Sequence, residues 1–91
     1  MTIENNLKKL NIILPSAPDP VGSYVATKII GKILYISGQI SINEKGELIK
    51  GKIGKELSLE QGYECARRCA LSIISQCKKA CNGDLSLIKS C

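Results

Sequence analysis

The stretch that decides the fold is residues 24–42, YVATKIIGKILYISGQISI. Residues 24–30 and 33–36 carry the β-branched and aromatic side chains that favour strands. Between them stands the short break Gly31-Lys32, which is of hairpin length. The pattern predicts an antiparallel β-hairpin.

A turn and a third strand are expected after the hairpin. Ile40 and Ile42 alternate with polar neighbours, and residues 43–46, Asn-Glu-Lys-Gly, are typical of a turn whose glycine adopts a positive φ. Leu48 and Ile49 then form a short third strand. Gly51 and Gly54 are expected to end this strand and begin a loop.

The segment before the hairpin divides into a helix and an extended leader. Ile3, Leu7 and Leu10 stand at helical spacing and predict a short N-terminal helix that ends at Asn11. Residues 14–20 contain all three prolines of the chain, which fix φ and remove amide donors. This leader should run extended over the surface.

A long helix is predicted over residues 58–82. It starts with the capping-box sequence Ser58-Leu59-Glu60-Gln61 and stops at Asn82-Gly83. At 100° per residue one apolar stripe is formed by Leu59, Gly62, Tyr63, Ala66, Cys69, Ala70, Ile73, Ile74, Cys77, Ala80 and Cys81. Outside the stripe fall Glu60, Glu64, Arg67, Arg68, Ser75, Lys78 and Lys79. The stripe is expected to pack and the other face to be solvated.

The chain reads as one incomplete domain of 91 residues. Its parts are the leader 1–20, the hairpin and third strand 21–57, the long helix 58–82, and residues 84–91 as the start of a further strand. Without Phe or Trp the core must be built from aliphatic residues and cysteine, so stability is expected to be marginal unless the chain associates.

Charge and cysteine content narrow the function classes. The net charge of +5 suits an anionic partner such as RNA or a carboxylate, although basic residues scattered in pairs are more often a solvated surface. The N-terminus lacks the apolar region of a signal peptide, and no apolar run approaches a membrane span, which favours a cytoplasmic location and no membrane partner. The five cysteines are then expected to be reduced thiols.

Four of these cysteines form two pairs with i,i+4 spacing, Cys65 with Cys69 and Cys77 with Cys81. Such pairs could chelate zinc or take part in redox chemistry. The first and last sulfur atoms would lie about 24 Å apart along one helix, however, so core packing is the favoured interpretation. No metal site is predicted.

The absence of histidine excludes Ser-His-Asp and Cys-His catalysis within this chain. Two features could still contact a ligand. Ser37-Gly38-Gln39, at the end of a strand, offers a hydroxyl and a backbone that permits close approach, with a strand bulge as an equally good explanation. Tyr24 could supply a phenol, although a half-buried strand tyrosine is commoner.

Taken in order, several segments resemble the Rid/YjgF family, which includes the reactive-intermediate imine deaminases. They are Leu14-Pro15, residues 21–25, residues 31–40, Gly46-Glu47-Leu48 and Gly83-Asp84-Leu85. The leader from Leu7, residues 51–54 and residues 66–71 look most like the branch described as endoribonuclease L-PSP or chorismate-mutase-like. The likeness covers about residues 7–91.

The resemblance implies an α+β fold of the chorismate-mutase-like (YjgF) type, a mixed β-sheet with helix packed on one face, truncated here after the first long helix. It implies a homotrimer with a ligand cleft between subunits, which would take a small carboxylate or imine. Deaminating members hydrolyse enamine or imine intermediates to 2-oxo acids and ammonia without a metal or organic cofactor. Tyr24 and Ser37 match the family's cleft residues, and Gly38 and Gln39 adjoin them.

The family's carboxylate-binding arginine and its late glutamate belong to a second half that this sequence does not contain, so no catalytic residue is assigned. Arg67 and Arg68, expected on the solvated side of the helix, are no substitutes. Three hypotheses follow: an imine deaminase whose short form is inactive or impaired, a non-catalytic module that binds a metabolite or RNA, and a half-fold held by another copy or a complementary chain.

Overall fold

The computed structural model describes residues 3–17, 19 and 22–91. It contains two α-helices, two strands and one 3-10 helix. In chain order they are α1 (Ile3–Lys9), β1 (Thr27–Ile30), β2 (Ile33–Ile36), α2 (Leu59–Ala80) and the 3-10 helix Leu85–Leu87. The α+β class is thus confirmed. Pro18 and Pro20 of the expected extended leader, and Val21 directly after it, lie outside the described residues.

The predicted hairpin is confirmed. Strands β1 and β2 pair antiparallel with Thr27 opposite Ile36 and Ile30 opposite Ile33. Gly31 has a φ of 61°, which a tight connection of two residues requires and which glycine adopts at least cost. The expected strand start at Tyr24 is too early, because the described residues before Thr27 form bends rather than ladder pairs.

The third strand is reduced to a single bridge, Ile42 with Leu48. The predicted turn between them is present, and Asn43 organises it. Its side-chain oxygen accepts hydrogen bonds from the backbone N–H of Lys45 and of Glu47, both at 2.9 Å. These side-chain bonds shape the turn, whereas the two flanking segments are too short to build a ladder. Over the described residues the sheet itself has two antiparallel strands, and Ile53 and Leu57 form a separate, parallel bridge.

The N-terminal helix is confirmed as α1, and Asn11, with a φ of 55°, follows its last turn. The start of α2 is confirmed in detail. The Ser58 hydroxyl accepts from the Gln61 backbone N–H at 3.2 Å, and the Gln61 side chain accepts from the Ser58 N–H at 2.7 Å. Each partner satisfies an amide that the first helical turn leaves open.

The buried face of α2 is the reverse of the predicted one. Its buried residues are Arg68, Leu71, Ser72, Ser75 and Gln76, whereas Leu59, Tyr63 and Ile73 of the apolar stripe stay 57%, 68% and 43% exposed. The polar face docks because its side chains find acceptors in preceding segments. The Ser75 hydroxyl donates to the Pro15 carbonyl oxygen, and the Gln76 side-chain amide donates to the Gln39 side chain.

Residues 84–91 do not start a strand. Asp84 caps the 3-10 helix Leu85–Leu87 by accepting from the Ser86 N–H, and the residues after it have no regular structure. Leu85 is only 2% exposed, and its N–H donates to the Glu4 carboxylate at 3.2 Å. The 3-10 helix thus packs against α1, and the chain does not extend across the sheet at this point.

The core is very small. Among the described residues only Leu71 and Leu85 are buried apolar side chains. A domain of this length normally buries roughly 60% of its unfolded surface. Much of the apolar surface of this chain therefore faces outward.

Candidate functional site

The predicted ligand-contacting residues lie where the hairpin ladder ends. The Ala26 carbonyl oxygen accepts two hydrogen bonds from Ser37, one from its N–H at 2.9 Å and one from its hydroxyl at 3.2 Å. The first bond continues the strand register by one pair. The second uses the hydroxyl proton, so the Ser37 oxygen is left with acceptor capacity toward a ligand.

Gly38 follows at an exposed position. A Cβ atom built on it would have no atom within 4 Å other than those of its two chain neighbours. Beside the Cα of Gly38, only its neighbours along the chain are close. The close approach of a ligand at this point stays a prediction, and the open space does not by itself require glycine.

The Gln39 side chain is hydrogen-bonded within the chain rather than free to contact a ligand. Its side-chain nitrogen donates to the Ser37 and Gly38 carbonyl oxygens at 3.1 and 3.2 Å, while its oxygen accepts from the Gln76 side chain at 3.4 Å. Gln76 is only 1% exposed. Gln39 consequently ties the strand end to α2 and holds the Ser37–Gly38 backbone in place.

Tyr24 is 47% exposed and lies before β1. Its ring packs over Gly22, where an added Cβ would come within 3.2 Å of the ring carbon Cε1. Glycine at 22 therefore gives the ring room to lie against the backbone. Ser37 pairs with Ala26, two residues after Tyr24, so both matched residues belong to the same end of the hairpin.

The two arginines occupy different environments, which corrects the expectation that both are solvated. Arg67 is exposed and forms a 3.5 Å ion pair with Glu64. Arg68 is only 6% exposed, and its Nε donates to the Ile42 carbonyl oxygen at 2.7 Å. Glu44 lies 3.9 Å from the same guanidinium but is itself largely exposed. Arg68 was missed because its partner is a backbone atom 26 residues away.

Cys65, Cys69 and Cys77 of α2 and Cys81, which directly follows it, are free and partly buried, and Cys91 is free and exposed. Burial raises the pKa of the Cys77 thiol, and its neighbours Cys81 and Cys91 raise it further. A raised pKa lowers the thiolate fraction at neutral pH and with it the reactivity of Cys77. Within the described ranges no three His, Cys, Asp or Glu side chains are grouped so as to hold a metal ion.

An open cavity of about 540 Å³ lies away from the predicted residues. Leader residues including Leu14 and Ala17 form one wall, and Lys78 and Lys79 near the end of α2 form another. The sequence did not predict this cavity, because the cavity depends on how residues 14–17 lie across α2.

None of the helices in the described part of the chain has the length and apolar character needed to cross a bilayer.

The chain is similar in sequence and in backbone structure to several known proteins. The chain is 39% identical over 84 residues to Protein TCP17 of Trypanosoma cruzi. The aligned residues make up 92% of this chain and 52% of that protein. Among solved structures it is similar to a putative endoribonuclease from Shewanella oneidensis MR-1, with a TM-score of 0.86 and 33% identity over 94% of this chain and 56% of the other. It is also similar to Atu1372 of Agrobacterium tumefaciens, a protein of unknown function, with a TM-score of 0.76 and 36% identity.

The Atu1372 match covers 93% of this chain and 50% of that one. The chain thus spans about half the length of the curated relative and of the solved structures that it matches. The family described as YjgF/chorismate mutase-like, putative endoribonuclease matches residues 4–91. Because that match covers nearly the whole sequence, the chain belongs to the YjgF/chorismate mutase-like family.

Proposed function

We propose that this chain contributes part of a ligand cleft to a domain that hydrolyses enamine and imine intermediates. In this reaction water adds to the carbon of the C=N bond, and the resulting carbinolamine expels ammonia to leave a 2-oxo acid. The observation that supports the proposal is the end of the hairpin, where the Ser37 oxygen retains acceptor capacity beside the open backbone of Gly38.

Each group at this end has a distinct part in the proposal. The Ser37 oxygen accepts a hydrogen bond from the imine nitrogen, and the absence of a side chain at Gly38 lets the substrate lie against the backbone. Tyr24, half exposed at the same end, covers the ligand with its ring. Gln39 positions the backbone through its bonds to the Ser37 and Gly38 carbonyl oxygens.

The chain alone is proposed to have little or no activity. A 2-imino acid carries a carboxylate, which a bidentate arginine would bind best. The sequence has two arginines, of which Arg67 pairs with Glu64 and Arg68 donates to the Ile42 carbonyl. Neither is available at the hairpin end, so the carboxylate anchor has to come from outside these residues.

A trimer is the proposed assembly that would complete such a cleft between subunits. On the face of the hairpin that carries Ile30, Ile33 and Tyr35, these side chains are 59%, 57% and 54% exposed. Burying them between copies would remove apolar surface from water. Light scattering of the purified chain measures this directly, and a monomer at all concentrations would contradict the proposal.

Activity is tested by coupling the chain to a threonine or serine dehydratase and following the decay of the released imine. The chain alone should leave the decay at its rate in buffer, whereas a full-length family member accelerates it. Acceleration by the chain equal to that of the full-length protein would show that no further residues are needed. In a full-length relative, replacing the serine equivalent to Ser37 with alanine should lower kcat/KM; an unchanged value would remove Ser37 from the proposal.

A second candidate function is binding of RNA or a small metabolite without turnover. It is favoured by the net charge of +5, and the Shewanella relative is described as a putative endoribonuclease. If lysines neutralise phosphates, the logarithm of the binding constant must fall linearly with the logarithm of the salt concentration. A titration with single-stranded RNA that shows no binding at low salt would exclude the RNA version.

A further inference from the structure

The open cavity of about 540 Å³ lies between residues 14–17 and the end of α2, and we call it the leader cavity. The Ser75 hydroxyl donates to the Pro15 carbonyl oxygen and so ties the two walls together. Ser75 is only 5% exposed, so the walls meet where solvent hardly reaches. Small-molecule sites commonly have volumes of about 300–1,000 Å³. The leader cavity therefore has room for a small molecule.

Four side chains that line the leader cavity can donate hydrogen bonds. They are Ser16, Lys78, Lys79 and Asn82. Within the described part of the chain, none of the four side chains forms a hydrogen bond or an ion pair. Over the same residues no Asp or Glu lines the cavity. Two ammonium groups with no carboxylate beside them make the cavity complementary to an anion.

The backbone carbonyl groups at the end of α2, which would otherwise repel an anion, already accept hydrogen bonds. The Gly83 N–H donates to the Lys78 carbonyl oxygen at 2.8 Å, and the Asn82 N–H donates to the Lys79 carbonyl oxygen at 3.2 Å. With Asn82 at a φ of 54°, this is the Schellman arrangement of a helix end. The two lysine side chains therefore dominate the electrostatic potential in the cavity.

The leader wall of the cavity is mainly apolar. Leu14, Pro15 and Ala17 contribute to it, and Pro15 has no backbone N–H to offer. A ligand that fits both walls has an acidic group for the lysines and a compact apolar body for the leader. Lysine binds phosphate as a point charge, and two adjacent lysines match a dianionic phosphate better than a single carboxylate.

We propose that the leader cavity is a binding site for a small phosphate monoester with a compact apolar body. The phosphate binds the ammonium groups of Lys78 and Lys79, and the body packs against Leu14 and Ala17. This site is separate from the hairpin end of the proposed function, since none of the residues assigned there lines the cavity. Because the cavity is open, the dissociation constant should be on the order of 1 mM.

An NMR titration of the isotope-labelled 91-residue chain tests the site without any measurement of imine decay. Phenyl phosphate is the probe, benzoate carries the same ring with one negative charge, and inorganic phosphate lacks the ring. Phenyl phosphate should bind most tightly and shift the backbone amide signals of Ser16, Ala17 and residues 78–83. Equal affinity for benzoate or for inorganic phosphate, or shifts centred on Ser37, would overturn the proposal.

Two lysine pairs separate this site from general attraction to a basic protein. Lys78→Gln with Lys79→Gln should leave the far-UV circular dichroism unchanged and weaken phenyl phosphate binding by more than about tenfold. The matched control is Lys8→Gln with Lys9→Gln, an adjacent pair in the last turn of α1 that does not line the cavity. At physiological salt its charges are screened from the ligand, so the affinity should stay within about twofold. Equal weakening by both pairs would overturn the proposal.

The apolar wall is tested by Ala17→Leu, which places a larger side chain in the cavity. This variant should lose the tighter binding of phenyl phosphate over inorganic phosphate, because the ring no longer fits beside the leader. Binding of inorganic phosphate should be unchanged, since both lysines remain. A variant that still prefers phenyl phosphate to the same degree would refute the placement of the apolar body.

Discussion

Replacing the buried arginine of α2 is the sharpest test of how this helix docks. In Arg68→Met the long apolar stem is retained, so little cavity is created, but the donor to the Ile42 carbonyl is lost. A hydrogen bond from a charged group contributes about 1.5–3 kcal/mol, and an acceptor left buried costs a similar amount. The ion pair with Glu44 adds little, because the two groups are 3.9 Å apart and Glu44 is 81% exposed. The expected loss is about 2 kcal/mol in the free energy of unfolding.

Urea denaturation followed by far-UV circular dichroism measures this loss. With a slope of about 1–3 kcal/mol per molar urea, the midpoint should fall by on the order of 1 M. Two controls separate the contributions. Arg67→Met removes an exposed arginine and Glu44→Gln removes the exposed partner, and each should change the free energy of unfolding by less than about 0.5 kcal/mol. If Arg67→Met lowered the midpoint as far as Arg68→Met, the docking of the polar face of α2 would be refuted.

Three further predictions concern single groups. Ser58→Ala removes the helix cap and should cost about 1 kcal/mol in a thermal melt, so an unchanged Tm would argue against the capping box. The hydrogen bond from the Ser86 hydroxyl lowers the pKa of the Asp84 carboxyl, and the hydrogen bond from the Ser86 backbone N–H lowers it further. The stability that this carboxylate contributes is therefore present above its unfolded pKa of about 3.9 and is lost as the pH falls through the folded value. In an acid titration Asp84→Asn should flatten that loss, and an identical profile would contradict the assignment. Because the pKa of Cys77 is raised, iodoacetamide at neutral pH should label exposed Cys91 first, as peptide mass spectrometry can show; faster labelling of Cys77 would count against its partial burial.

Local signals predicted the local structure well. The hairpin follows from two β-rich runs around Gly31, and the start of α2 follows from Ser58 and Gln61, whose hydrogen bonds span only three residues. Residues 84–91 were assigned to a strand because Leu85, Leu87 and Ile88 are apolar. The side-chain bond of Asp84 to Ser86 competes with an extended backbone and favours the short 3-10 helix instead.

The orientation of α2 could not be predicted from periodicity alone. Periodicity identifies which side of a helix is apolar, but the covering of that side depends on segments elsewhere in the domain. The same holds for the candidate site. Ser37 and Gly38 were predicted as site residues from their place at a strand end, and that role stays a prediction. The hydrogen bond between Gln39 and Gln76 joins residues 37 positions apart and leaves no local signal in the sequence.

The exposed apolar side chains of α2, Leu59, Tyr63 and Ile73, also bear on how much folded chain a cell would retain. Chaperones and proteases continuously act on the unfolded fraction of a marginally stable protein. A partner that binds only the folded chain stabilises it by an amount that grows with the logarithm of the free partner concentration. A molecule that covers Tyr63 and Ile73 only in the folded chain should therefore raise the fraction of the chain that is folded.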